Sequence, residues 1–483
     1  MMREKYRNIK MYSSLSLRAR RSNPAIIAKI PGLRRRLCLL AMTVIFVFIF
    51  PALPNAQAGL PPIIRDTEIE AIFSEWTTPL LKASEIGPDN VRIILVQSDQ
   101  VNAFVAGGAN IFFYTGLIKK TDGPEEVIGV LAHEMGHIAG GHLITTQDAL
   151  ERASYESILG AVLGLGAAIA TGNGAAASAI ITGSQNIAGR RFLAHSRINE
   201  ASADQAAFSY ITRAQLNPSG LSSFFKKLQD QELLPATQQS EYVRTHPITR
   251  NRIEAMDALI AKSPLKDQAP TARWQDQHAR MKAKLIGFIN PEQTAWAYPK
   301  EDTSIPARYA RTIAAYRRND IPTALRGIDE LLHDEPHNAY FYELKGQMLV
   351  DFSRVEEALP AYRKAVELMP EGPLLRIALA HALLQDEDNR AQVEEAIRHL
   401  ERALIKEKRS TRVHRLLATA YGRSGRESLA KLHLAEEAVL QQRLPYAKAQ
   451  AESALKDFRA GSSEWIKTKD VLNHIALLEQ QMN

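Results

Sequence analysis

Val127-Ile128-Gly129-Val130-Leu131-Ala132-His133-Glu134-Met135-Gly136-His137 sets an H-E-x-x-H pattern inside an apolar run. A run this apolar predicts a buried helix, where residues four apart lie one turn apart on the same face. His133 and His137 then point the same way and can hold one Zn²⁺, while Glu134, beside the first histidine, polarises a water at the metal. The flanks predict where the helix begins and stops. Asp122 followed by Glu125 is a capping-box pattern, Pro124 falls in the first turn, and Gly140-Gly141 supply a break. The competing reading is a helix whose histidines are merely polar. Burial argues against it, because a buried imidazole needs partners.

A catalytic zinc keeps three protein ligands and one open position, so a third ligand is expected downstream. Asn199-Glu200-Ala201-Ser202-Ala203-Asp204 supplies it. Glu200 can complete a His₂Glu set, and Asp204, one turn later on the same helix face, can accept the free N–H of a ligating histidine. Taken alone, both acids read as solvated helix residues; paired with the two histidines they become a site. Ser196-Arg197, Glu200 and Ala203-Asp204 stand in the register S-R-x-x-E-x-x-A-D. In this the chain resembles the M48-type zinc peptidases. The resemblance implies an α+β zincin-like domain and endopeptidase activity. It also implies one Zn²⁺ per chain on His133, His137 and Glu200, with Glu134 as general base.

Two further segments are similar to that family. The first runs Asn102-Ala103-Phe104, Gly107-Gly108, Thr115-Gly116-Leu117, and reads as two short strands around a Gly-Gly turn. The resemblance implies that an edge strand here binds extended substrate, with Gly107 and Gly108 beside it; an ordinary core hairpin is equally compatible. The second is Thr245-His246-Pro247, followed by an arginine-containing helix. It implies that His246 lies near the zinc, either donating to a developing oxyanion or filling the open position of a resting enzyme. It also implies that Arg252 binds a substrate carbonyl or carboxylate.

The formal net charge of +7 belongs to one end of the chain. Residues 1–36 hold eleven Lys/Arg and one acidic residue, Glu4; the rest has 49 basic and 52 acidic residues, about −3. Nucleic-acid binding therefore loses its main support. Arg34-Arg35-Arg36, the apolar run Leu37 to Phe50 and Ala56-Gln57-Ala58 read as a signal peptide, residues 1–58, cleaved near Ala58. An uncleaved anchor is the alternative. The single cysteine, Cys38, lies within this leader, so the mature chain has no disulfides. Export to the periplasm is the expectation. Residues Ile158 to Ile181 are uncharged and broken by Thr171-Gly172-Asn173-Gly174. They read as a lid, a hairpin touching the membrane periphery, or a buried hairpin, because neither half is long enough to span a bilayer, and the resemblance to membrane-embedded relatives keeps a re-entrant segment as a further reading.

Beyond a proline-rich stretch the chain repeats. Ala324 and Ala358, Pro336 and Pro370, Gly346 and Ala380, and Ala396 and Ala430 are each 34 residues apart. A 34-residue period with small residues at helix crossings is similar to tetratricopeptide repeats. The expected layout is a peptidase domain at 59–265, a linker at 266–306 and an α-solenoid at 307–483, about four repeats plus a terminal helix, giving a mainly α chain. The combined layout resembles the exported, repeat-bearing branch of the M48 peptidases, which acts in outer-membrane quality control. That implies unfolded or misassembled outer-membrane proteins as substrates and docking of the repeats on the barrel-assembly machinery. The alternative is a chaperone or scaffold working through its repeats, with a dormant zinc site.

Overall fold

The computed structural model describes residues 62–87, 90–146, 148, 196–235 and 237–482. The leader and the apolar stretch 158–181 lie outside the described residues. No helix among the described residues is long and apolar enough to cross a membrane.

Strand β1 (Ile63–Ile64) leads into helix α1 (Thr67–Ala83), whose first turn is capped by the Asp66 carboxylate accepting from the Ile69 N–H. Strands β2 (Arg92–Val96), β3 (Ala103–Ala106) and β4 (Asn110–Tyr114) follow. The sheet order is β1-β2-β4-β3, with β2 and β4 parallel and the other pairs antiparallel. Alternation along β4 buries Ile111 and Phe113 on one face, where Phe113 meets Phe73 of α1. Phe112 stacks on Phe104 on the other face, with ring centroids 5.1 Å apart. Gly107 and Gly108 turn β3 into β4 with φ of +58° and +93°, conformations that a side chain resists.

After the short helix α2 (Thr115–Lys120) comes α3 (Pro124–Ala139), buried almost throughout. The expected capping box does not form. Gly123 is the N-cap without a side-chain bond, and the Asp122 N–H donates instead to Glu126 Oε2 at 2.9 Å. Glu126 is buried and also accepts from Ser223 and Lys227, so this acid, not Glu125, ties the helix start to its neighbours. Helix α4 (residues 196–213), α5 (Ser219–Leu228), α6 (Glu241–Thr245) and α7 (Arg250–Ala261) complete the core around α3.

The stretch read as a linker carries an 18-residue helix, α8 (Ala272–Ile289). Its prolines bracket the helix instead of interrupting it, and its apolar spacing puts Met281 and Leu285 in the peptidase core. Trp76 of α1 donates to Gln277 Oε1 at 2.9 Å, and Arg280 forks onto Glu335 of the repeats. A single-turn helix, α9 (Thr294–Ala297), precedes the solenoid. Four hairpins follow, α10 (Ile305–Arg317) with α11 (Ile321–Asp334), α12 (Ala339–Asp351) with α13 (Val355–Leu368), α14 (Pro373–Leu383) with α15 (Arg390–Lys406), and α16 (Thr411–Arg423) with α17 (Glu427–Leu440). A last pair, α18 (Leu444–Leu455) and α19 (Ser463–Met482), ends the chain. The period-marking residues sit at the crossings: Ala324, Ala358, Ala380 and Ala396 are fully buried, and a Cβ on Gly346 would lie 2.8 Å from the Tyr362 ring.

Candidate metal centre

The centre is assembled where α4 crosses α3. A Cβ on Gly136 would lie 2.8 Å from the carbonyl oxygen of Ala203, so only glycine admits α4 at this depth. Close approach there sets Glu200 and Asp204, flanking Ala203 in the chain, against the two histidines. His133, Glu134, Glu200, Asp204 and His246 are all buried, and His137 is only slightly exposed.

The sequence-predicted residues converge. His133 Nε2 lies 3.1 Å from His137 Nε2 and 3.4 Å from Glu200 Oε2, and His137 Nε2 lies 3.5 Å from Glu200 Oε1. His246 adds a fourth corner, its Nδ1 3.4 Å from His133 Nε2 and 3.2 Å from Glu200 Oε1. Asp204 Oδ1 stands 3.0 Å from His133 Nδ1, on the side of the ring away from the cluster. Glu134 is next to these groups but outside the set, with its Oε1 3.6 Å from His246 Nε2. Neither Glu134 oxygen has a hydrogen-bond partner, and neither does His246 Nε2.

These spacings fit a divalent cation. Bonds of about 2.0–2.1 Å to four tetrahedral corners place the ligand atoms about 3.3–3.4 Å apart, which is the scale of the gaps of His133 to its three neighbours and of Glu200 to the other two histidines. The Nδ1 atoms of both helix histidines are engaged elsewhere, His133 with Asp204 and His137 with His142 at 2.9 Å. Such outer contacts fix the ring orientation and leave each Nε2 turned inward. The charges agree. Burial opposes ionisation of Glu200, yet His246 and His133 outweigh it and hold its carboxyl well below the usual range. Burial likewise opposes Asp204, and the Arg252 guanidinium outweighs it. Burial also opposes a charge on His133, but Asp204 and Glu200 hold its pKa up at about 9. Burial pulls His137 well below its ordinary value, and the neighbouring His133 and His246 add to the fall. Glu134 is pushed up by burial. The cluster is thus built around anionic carboxylates with one permanent cation, Arg252, behind them, and it favours further positive charge at its centre.

Arg252 takes a different place from the one the resemblance implied. It is buried, with Nε and Nη2 on Asp204 at 2.7 and 2.8 Å and Nη1 on Glu200 Oε2 at 2.9 Å and the Pro247 carbonyl at 2.8 Å. Its guanidinium also lies 4.6 Å from the Phe225 ring centroid. These contacts make it a brace for the two carboxylates. Gly107 and Gly108 cap the β3 edge of the sheet, and β3 packs along α3. Sequence reasoning missed His142 and Tyr242. The Tyr242 ring lies 4.9 Å from that of His246, and its hydroxyl is buried without a partner. Tyr242 precedes His246 by one helical turn, a spacing that could have marked it. His142 follows a glycine break, so no periodicity connects it with His137.

Residues 64–260 match Peptidase family M48, and residues 309–373 match the tetratricopeptide repeat. The chain carries an M48 peptidase domain followed by tetratricopeptide repeats and is by class a metallopeptidase. Among named relatives, it is 24% identical over 432 residues to the beta-barrel assembly-enhancing protease of Escherichia coli (strain K12), covering 88% of this chain and 86% of the relative. It is 25% identical over 335 residues to the Yersinia pestis protein of the same name, 67% of each chain.

Proposed function

We propose that this chain is a zinc endopeptidase of the bacterial envelope that cleaves unfolded or misassembled outer-membrane barrel proteins and favours assembly of the rest. The observation that carries the peptidase reading is the inward convergence of His133, His137 and Glu200 beside a buried Glu134 carboxylate that has no hydrogen-bond partner. Two imidazoles and a carboxylate are a donor set suited to Zn²⁺. Zinc held there supplies Lewis acidity, which polarises a peptide carbonyl and makes water nucleophilic near neutral pH. Glu134 removes the proton from that water and delivers it to the leaving amine nitrogen. Its burial raises its proton affinity, which suits a base that must hold the proton between the two transfers. Asp204 and His142 keep the histidine rings in register, and Arg252 braces Glu200.

His246 occupies the fourth corner of the cluster, and that geometry supports its reading as a ligand of the resting enzyme over an oxyanion donor. Among the described residues strand β3 is an edge strand of the sheet, a place where an extended chain can add backbone hydrogen bonds. The client class rests on the relatives' name, and export on the leader with its cleavage site near Ala58. The peptidase domain spans 59–265, and the solenoid at 307–483 offers a surface for extended clients or for the barrel-assembly machinery.

The test is cleavage of a loosely folded protein such as casein by the purified mature chain, before and after chelation. Activity should vanish with chelator and return with Zn²⁺; chelator-resistant cleavage contradicts the proposal. The resting geometry of His246 also favours a second reading, a chaperone with a dormant site. Negligible cleavage with client binding intact supports that one.

A further inference from the structure

A second constellation lies far along the chain, in the fourth hairpin of the solenoid. His414 of α16 and His433 and Glu436 of α17 bring three ligand atoms together: His414 Nδ1 and His433 Nδ1 are 3.1 Å apart, and Glu436 Oε2 is 3.1 Å from the first and 3.0 Å from the second. This triangle is nearly equilateral. Its sides are close to the roughly 3.3 Å separation of neighbouring ligands around a tetrahedral ion with bonds of about 2.0 Å.

The surroundings orient these atoms. His414 Nε2 lies 3.3 Å from the Lys408 carbonyl, so its N–H donates there and its Nδ1 lone pair faces the triangle. The His433 ring is stacked on Tyr421 with centroids 5.5 Å apart and planes 6° from parallel, which fixes its plane. Both imidazoles are almost fully buried, at 2% and 5% exposure. Glu436 Oε2 is buried and accepts no well-directed hydrogen bond, although two ring nitrogens crowd it. That is the cost a carboxylate bears when the group it is aimed at is something other than an N–H. The other oxygen, Oε1, pairs with Lys467 of α19 at 3.2 Å, and that lysine is half-exposed. Arg415, the neighbour of His414, is committed to Glu437 at 2.7 Å and does not neutralise Glu436.

We propose that His414, His433 and Glu436 form a second divalent-cation site for ions that favour imidazole, such as Zn²⁺, which clamps α16 to α17 near the end of the solenoid. The Lys467 ammonium, paired with Glu436 Oε1, competes with the incoming cation for that carboxylate. The bland alternative is a proton shared between the two Nδ1 atoms, with no metal affinity.

The full mature chain is dialysed against graded Zn²⁺ and its bound metal measured, for wild type, His137→Ala, His433→Gln and Lys467→Met. The site predicts two zinc ions per wild-type chain and one in His433→Gln, with cleavage of casein retained as evidence of folding. His137→Ala should also hold one, and that remaining ion should be lost when His433→Gln is added. Lys467→Met should fill the second site at lower zinc concentration than wild type, an outcome that a shared proton does not produce. Equal stoichiometry in wild type and His433→Gln overturns the second site and leaves the catalytic assignment untouched. Equal stoichiometry in wild type and His137→Ala counts against the catalytic assignment alone. If His433→Gln does not fold, an unchanged half-saturation in Lys467→Met overturns the proposal.

Discussion

Two of the places where this molecule buries charge handle it differently. In the joint between peptidase and repeats, Lys284 of α8 reaches Asp66 at 2.8 Å and Glu68 at 3.1 Å, and Tyr309 of α10 donates to the same Glu68 oxygen at 3.0 Å. Thr67 donates to Glu343 of α12 at 2.6 Å, and Arg65 forks onto Glu407, 342 positions away in sequence. Each of these charges has an opposite charge or a donor against it. In the metal centre, by contrast, both Glu134 oxygens and His246 Nε2 are buried without a hydrogen-bond partner, Glu134 Oε1 coming no nearer to His246 Nε2 than 3.6 Å. A folded chain tolerates such orphans where chemistry requires a group free to take a proton or meet an ion. The joint is architecture; the cleft is held ready to react.

That contrast can be broken at the joint first. Lys284→Met leaves Glu68 and Asp66 facing each other without their cation, and removing one partner of a buried pair costs about 3–5 kcal/mol. Urea unfolding followed by circular dichroism should show a loss of that order, while the metal content of the folded fraction stays at the wild-type level. A loss under about 1 kcal/mol would mean that the joint is not held by this pair. The same contacts argue against cutting the chain at residue 307 to isolate the peptidase, because Glu68 would lose Tyr309 and Arg65 would lose Glu407.

The next effect lies behind the ligands. Asp204→Asn keeps the shape but withdraws the charge that holds His133 and Arg252. Competition with a chromogenic chelator should report metal affinity lowered by about 10–100-fold, with the ion still bound in excess zinc. Unchanged affinity would reduce Asp204 to a packing residue.

Glu343 sharpens the comparison through pH. Burial pushes its carboxyl up to about 7 against the pull of Lys284. Its folded pKa is therefore above the ordinary carboxyl value of 4.5, so the neutral form is the one the fold prefers. Stability from this group is fully present below pH 4.5 and is lost as pH rises through about 7. Glu343→Gln should be as stable as wild type at low pH and more stable above neutrality. Parallel unfolding curves at all pH values would contradict it. The smallest effect belongs to the surface. Arg250 and Glu254 pair at 2.7 Å with side chains 90% and 60% exposed, and Arg250→Ala should change unfolding by no more than about 0.5 kcal/mol in the same urea assay.

What sequence could reveal follows from how local each signal is. The α3 histidines, the four repeat hairpins and the Gly107-Gly108 turn depend on spacings within one or two elements, and periodicity reports those. Glu200 was legible because its helix carries Asp204 in register. The role of Arg252 was not, since its partners are 48 and 52 positions away and only the packing of α7 on α4 brings them together. Helix α8 was hidden by the prolines at its ends, and its reason for folding is contact with Trp76 and the first repeat. The Asp122–Glu125 cap failed for a related reason: Lys227, more than a hundred residues on, pairs with Asp122 and draws Glu126 into the role instead.

The central claim is that Glu134 acts as the base beside the metal and does not hold it. Glu134→Gln keeps the side chain's size and removes its capacity to take a proton, so metal content and cleavage must be measured on the same preparation. The account predicts zinc bound as in wild type, with cleavage slowed by about 10²–10⁴-fold. Cleavage at the wild-type rate, or loss of the metal along with activity, would contradict it.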